Sequence, residues 1–353
     1  MRAAPRLASL RPSGATAIAV AVVSLLAGLS SCRGGCSRAP KATPPFGGRL
    51  ALFPIETRSV VALDLVKLRA APAVARLAKL ALGNPADEQR LQVFRDRTGL
   101  DPASQLESVI VAFPAEARTR GELGILIRAT RFDERRLIAY ARDTLQPGGD
   151  DLVPTTRGHR TIWSTRKEPE LAGFFVDEQT LVIGGGGWAV KMADLADGAP
   201  ASSSAQTDVE LAEVCEKTAA HHAIWAAAII PEALRQQLRD DPRFASAASV
   251  THMALGIDLG AGLEASFAAD LGNEKEAEAM VAKAAEVLRG AKRDPRVLML
   301  GLGPELDGIT GKAEGTGFTL RLVLAEPQVD DLLDRANAFL TLMRQGRAPG
   351  FGR

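Results

Sequence analysis

Two hydrophobic periods alternate along this chain, and they do so twice over in the same order. Stretches such as "SVVALDL", "GLEASFAAD" and "GFTLRLVLA" read as strands, which throw successive side chains to opposite sheet faces. Elsewhere apolar residues recur at helical spacing, most cleanly as Val329, Leu332, Leu333, Ala336, Phe339, Leu340 and Met343. The first half runs from "SVVALDL" through helical stretches over 74–82 and 88–97 to two strands, in "GLDPASQLESVIVAF" and "GELGILIRAT". The helix "DERRLIAYARDTL" follows, with Leu137, Ile138, Ala141 and Leu145 on one face. After a polar loop come "TIWST", a hairpin of "LAGFFVD" and "QTLVIG" turning at Asp177–Gln179, and a short helix over 189–196.

The second half repeats that order with less helix. It reads "AIWAAAII", a short helix from Pro231, then "SVTHMALGID" and "GLEASFAAD" joined through Gly260–Gly262. A helix with Ala277, Met280, Val281, Ala284 and Leu288 on one stripe leads to the hairpin "ELDGITGKAEG" and "GFTLRLVLA", and to the last helix. From the middle strands onward the offset between halves is about 140 residues. Short hairpins favour antiparallel pairing, so the expected class is α+β: two tandem repeats of antiparallel sheet covered by amphipathic helices. The expected first repeat is 50–205 and the second 206–345, with a disordered tail at 346–353.

Composition narrows the partners. Among 353 residues, Lys+Arg 43 against Asp+Glu 42 leaves a formal charge of +1, so no broad electrostatic pull toward nucleic acid is expected. One tyrosine argues against a base-stacking surface.

The N-terminus carries the most specific signal. Arg2, Arg6 and Arg11 precede the apolar run "ATAIAVAVVSLLAGL". At about 15 residues that run has the length of a signal-peptide core, short of the roughly 20 a membrane span requires. It ends in "LSSC", Leu29 to Cys32, which resembles the lipobox of bacterial lipoproteins. The resemblance implies that residues 1–31 are a signal peptide and that Cys32 becomes the first mature residue, carrying diacylglycerol and an N-acyl chain such as palmitate. Each buried methylene of those chains contributes about 0.8 kcal/mol of anchoring to membrane lipid. Residues 32–49, rich in Gly, Pro and basic side chains, read as a flexible tether in which Arg33, Arg38, Lys41 and Arg49 are solvated. Arg33, in place of Asp, follows the anchor; by the sorting rule of enterobacterial lipoproteins this implies the outer membrane, on its periplasmic or surface face. Beyond Cys32 the remaining cysteines are Cys36, on the tether, and Cys215, read as a small apolar residue on a helix. An oxidising compartment leaves a bridge between them open.

One stretch invites a cofactor. In "TLVIGGGGWAV", Gly184, Gly186 and Ala189 fit G-x-G-x-x-A, and Asp208 and Glu210 lie about 20 residues on, where a ribose-binding carboxylate belongs. The fingerprint requires a buried parallel strand before the glycines, whereas "TLVIG" reads as the second strand of a hairpin. The tract is therefore read as a bend, and no cofactor is expected. His221 and His222 with Cys215 fail as a metal cluster, because adjacent residues entering a strand face opposite ways. His159 and His252 have no partner at ligand spacing. "GLGPELDGITGKA" resembles a P-loop, but Leu306 stands where its first glycine belongs and Ala313 where its hydroxyl belongs. The pairs Asp150–Asp151, Asp240–Asp241 and Asp330–Asp331 fall in loops or helix first turns. No metal or catalytic residue is expected.

Segments "LFPIETRSVVALDLVKLRAAP", "TGLDPASQLESVIVAF", "TRFDERRLIAYA", "RGHRTIW" and "LAGFFVDEQTLVIGG" resemble those of uncharacterised exported two-repeat bacterial proteins. Ile55-Glu56-Thr57 stands for their opening "P-x-D-T" and Trp163 for the aromatic of their "Y-x-G-x-x-I-Y". That resemblance implies an architecture and an export route, with no catalytic residue to carry over. The expected function is a non-enzymatic lipoprotein of the cell envelope that binds an unknown envelope protein or has a structural role. The alternative is a carrier or sensor of an apolar ligand held between sheet and helices. A deep apolar cavity would mark the carrier, and convergent polar groups in a cleft an enzyme.

Overall fold

The computed structural model describes residues 47–81, 85–115, 121–240, 247–299 and 301–344. Cys32, Cys36, the expected signal peptide and the expected tail 346–353 lie outside the described residues.

The strands are β1 (Thr57–Asp64), β2 (Leu106–Pro114), β3 (Leu123–Ala129), β4 (Leu152–Arg157), β5 (Arg160–Thr165) and β6 (Ala172–Asp177). After them come β7 (Thr180–Gly185), β8 (Ile224–Ile229), β9 (His252–Asp258), β10 (Gly262–Asp270), β11 (Ile309–Glu314) and β12 (Gly317–Ala325). All 12 join one sheet in the order β11-β12-β10-β9-β8-β1-β2-β3-β7-β6-β5-β4. Every neighbouring pair is antiparallel. The chain is thus mixed α and β around a large antiparallel sheet.

Register sorts the side chains into two faces. One row on the front face runs Leu320, Phe267, Leu255, Ala226, Val61, Val111, Ile125, Ile183, one residue per strand from β12 to β7. The adjacent row, on the back face, runs Arg321, Ser266, Gly256, Trp225, Ala62, Ile110, Leu126, Val182. The back row is apolar from Trp225 onward and polar at its other end.

The helices close over these rows unequally. On the back, Trp188 and Met192 of α5 (Trp188–Ala196) and Leu211 and Cys215 of α6 (Val209–Ala219) join Val60, Ala62, Ile110, Leu126, Val182 and Trp225 in one buried cluster. On the front, Leu65 and Leu68 of α1 (Leu65–Arg69), with Leu100 and Phe132, pack on Val109, Ile127 and Leu181. Phe94 of α3 (Pro85–Thr98) and Leu137 of α4 (Glu134–Leu145) lie against that group. After β8 comes α7 (Glu232–Asp240); Ala277 of α8 (Glu274–Ala291) packs with Ala269 and Phe318, and Met280 and Val281 pack against them. Val329 and Leu333 of α9 (Glu326–Arg344) pack with Leu324 and with Ala73 of α2 (Pro72–Ala81), and Leu263 and Leu322 lie beside them. Between these covers the centre of the front face is open: Val61 is 37% exposed, Met253 37% and Leu255 41%.

Local signals explain where helices begin. Asp64, Asp133, Asp208 and Asn273 each accept a backbone N–H from the first turn that follows them, which starts α1, α4, α6 and α8. Three expectations are corrected. The polar loop before "TIWST" is β4, an edge strand exposed along most of its length. Arg49, expected on a solvated tether, is part-buried and donates to the Ser108 hydroxyl. Burial, then the neighbouring Arg128, lowers its pKa. Leu50, next to it, is wholly buried. Finally, the strand-to-helix passages out of β7 and β12 diverge: α5 lies on the back face and α9 on the front. The side chains of Ala336, Phe339, Leu340 and Met343 lie outside the described residues.

Candidate functional site

The glycine tract leaves β7, which is antiparallel to β3 on one side and β6 on the other, and enters α5. Each glycine is accounted for locally. A Cβ on Gly184 would stand 2.3 Å from the Ala189 nitrogen, and one on Gly185 2.0 Å from the Gly121 carbonyl oxygen. Gly186 and Gly187 have φ of 55° and 84°, the left-handed region where a side chain is strained. Asp208 caps α6 and pairs with Arg58 at 3.1 Å, so its carboxylate already has work in the fold.

Cys215, on the inner side of α6, is wholly buried, and burial, then nearby Asp208, pushes its thiol up to about 12. His221 and His222 stand with ring centroids 6.5 Å apart. Among the described residues no group of three or more His, Cys, Asp or Glu is set to hold a metal ion. Asp150 accepts backbone N–H groups from Asp151 and Lys167, Asp330 pairs with Arg76 and Asp331 with Arg335.

What the sequence did not bring together is His222 with Asp258 and Ser266. His222 lies in the turn between α6 and β8, Asp258 ends β9, and Ser266 is in the middle of β10. The antiparallel order β8-β9-β10 folds 44 residues of separation into contact. His222 Nδ1 is 2.8 Å from Asp258 Oδ2, and Nε2 is 3.1 Å from Ser266 Oγ. Asp258 Oδ1 accepts the Ala223 backbone N–H at 2.8 Å, which holds the carboxylate in place. An ionised carboxylate only accepts, so Nδ1 carries the proton and Nε2 is left to accept from the serine hydroxyl.

Gly256 makes the arrangement sterically possible. It is the cross-strand partner of Ser266, and a Cβ there would stand 2.0 Å from the imidazole Cδ2. The ring therefore lies against bare backbone. On the other side of Ser266 its partner is Arg321, whose Nε–H donates to Glu264 at 2.8 Å. That hydrogen bond holds the Glu264 carboxyl below the usual carboxylate range, against the opposing effect of burial.

His222, Gly256 and Ser266 border a cleft of about 330 Å³ between α6 and the back of β9, β10 and β12, with Asp258 behind the imidazole. Lys217, His252 and Thr319 add polar groups to it, while Val214, Ala254 and Ala268 supply apolar wall. His222 has a side-chain exposure of 13% and Asp258 of 33%, so the base is shielded while the cleft stays reachable. In chemical terms this is a hydroxyl, a base oriented to receive its proton, and a carboxylate that fixes the base. A lone glycine inside "MALGID" was the one local cue, since a glycine in a strand marks close approach.

No family model matches this chain, and no curated protein is similar to it. Among solved structures it is similar to "Structure of crystal form I of TP0453", at 11% sequence identity and a TM-score of 0.38, with 82% of this chain and 96% of that chain covered.

Proposed function

We propose that the chain is a lipoprotein of the bacterial cell envelope, anchored through acyl chains on Cys32, whose body docks a partner protein on the open front of its sheet. The observation that carries the docking role is the apolar centre of that face, with Val61, Met253 and Leu255 exposed between flanking helices. The bare part spans three adjacent strands, β1, β8 and β9. Strands lie about 4.8 Å apart, so its width is roughly that of one helix with side chains, about 10–12 Å. The occupant we assign is an amphipathic helix of an envelope partner. Arg33 after the anchor favours the outer membrane.

The same reading takes the body as two copies of one unit, 50–205 and 206–345. Strand order supports it: outward from the β1–β8 contact, β1-β2-β3-β7-β6 on one side corresponds to β8-β9-β10-β12-β11 on the other. The β4–β5 hairpin is then an addition to the first copy.

The test uses the full chain in its own envelope, with a photo-crosslinking side chain at Leu255. Expected is a cross-link that maps to the apolar stripe of a partner helix and disappears in Met253→Glu. A cross-link to lipid instead favours the apolar-ligand reading. No cross-link from a membrane-bound, folded protein overturns the docking role. An unmodified Cys32 in the mature protein by mass spectrometry overturns the anchoring.

A further inference from the structure

We propose that Ser266, His222 and Asp258 form a serine-nucleophile site that hydrolyses small carboxylic esters in the cleft beneath α6. This goes beyond the docking role, lies on the opposite face of the sheet and does not depend on it. It also departs from the non-enzymatic expectation, because polar groups converge in a cleft.

The geometry meets each requirement in turn. The nucleophile is within hydrogen-bond reach of the base at 3.1 Å, and the base within reach of its orienting carboxylate at 2.8 Å. The orienting carboxylate is itself held by the Ala223 N–H. Polar residues on this row sit where the rest of the row is apolar core, and Gly256 is the residue type that leaves room for the ring.

In the proposed reaction, Ser266 Oγ attacks the ester carbonyl carbon while its proton passes to His222 Nε2. The carbon–oxygen bond to the alcohol then breaks, and the alcohol leaves with that proton. Water, giving a proton to the same Nε2, attacks the acyl-serine; the carboxylic acid leaves and Ser266 recovers its hydrogen. Ester and water become acid and alcohol, with no other reactant. Asp258 stays ionised throughout and stabilises the imidazolium. β10 is paired on both sides, to β9 and β12, so its backbone N–H groups are committed to the sheet. The developing oxyanion must therefore be met by side chains. Lys217, which lines the same cleft, is the cation we assign to it. About 330 Å³ with alanine walls suits a short acyl group.

The test treats the full folded chain with a fluorophosphonate probe and, separately, with p-nitrophenyl acetate. Expected is phosphonylation of Ser266, located by peptide mass spectrometry and absent in Ser266→Ala. Hydrolysis should fall at least 100-fold in His222→Ala, and comparably in Asp258→Asn, which disturbs the tautomer. Gly256→Ala should lose labelling while melting as a folded protein, because its methyl displaces the ring. An unlabelled Ser266 in folded wild type, or equal hydrolysis by wild type and Ser266→Ala, overturns the proposal.

Discussion

Replacing Gly184 by Ala measures how closely α5 is pressed onto the sheet. The new methyl carbon would stand 2.3 Å from the Ala189 nitrogen, 2.8 Å from its Cα and 2.9 Å from the Trp188 carbonyl carbon. All three are backbone atoms, so no rotamer change relieves the contact. The helix itself must shift outward, and it carries Trp188, Ala189, Met192 and Ala193, all buried. Overpacking of a well-filled core costs about 1–3 kcal/mol, and the need to move four buried residues together points to the upper end, about 3 kcal/mol. At roughly 2–4 °C per kcal/mol for a body of this size, the melting temperature should fall by about 6–12 °C. Urea unfolding gives the free energy directly and thermal melting the shift. Gly290→Ala in α8 is the control, since nothing lies within 4 Å of its added carbon. Removing chain freedom there should stabilise by about 0.5 kcal/mol. A Gly184→Ala protein within about 0.5 kcal/mol of wild type would refute the close-approach argument.

Leu333→Asp puts a charge where Ala73, Leu324 and Val329 meet, at a residue only 9% exposed, and should cost at least about 3 kcal/mol. Leu298→Asp, at a position 59% exposed, should stay within about 0.5 kcal/mol of wild type, and equal losses in the two variants would sink the packing claim. Cys215 should resist iodoacetamide in the folded protein and react once unfolded. Its folded pKa is raised to about 12, so the stability it confers as a neutral thiol is intact below about 8.5, the unfolded value, and is lost from there up to about 12. The stability difference between wild type and Cys215→Ala should shrink across that window, and a difference that is flat with pH would argue against a buried neutral thiol.

The sequence revealed those parts of the fold whose chemistry is local. Hairpins β6–β7 and β11–β12, the stripe of α8 and the helix over 188–196 announce themselves because neighbouring residues share one environment. β4 was hidden: as an edge strand it buries no face, so "LVPTTR" shows no alternation, and Pro154 is tolerated there because an edge need not donate on both sides. The candidate site was hidden for a different reason. Cys215 and His221 are the ligand-type neighbours of His222 in sequence, whereas its partners in the fold lie 36 and 44 residues away. Their meeting depends on the β8-β9-β10 register, which no periodicity encodes. The face chosen by a helix is equally non-local. α5 and α9 leave comparable hairpins, yet one finds its apolar partners on the back and the other on the front.

The seam between β1 and β8 carries a cost in time. β1 is among the first strands to emerge from a ribosome, yet one of its two edges waits for residues 224–228, nearly half the chain later. Until then a growing chain presents an unpaired, apolar strand edge, the template on which foreign strands add. Closing so long a loop is slow, so this vacancy is long-lived compared with hairpin formation. A second chain whose β8 has already emerged offers a strand that fits the edge as well as the chain's own. Crowded synthesis would therefore favour exchanged dimers, each β1 completed by its neighbour's β8.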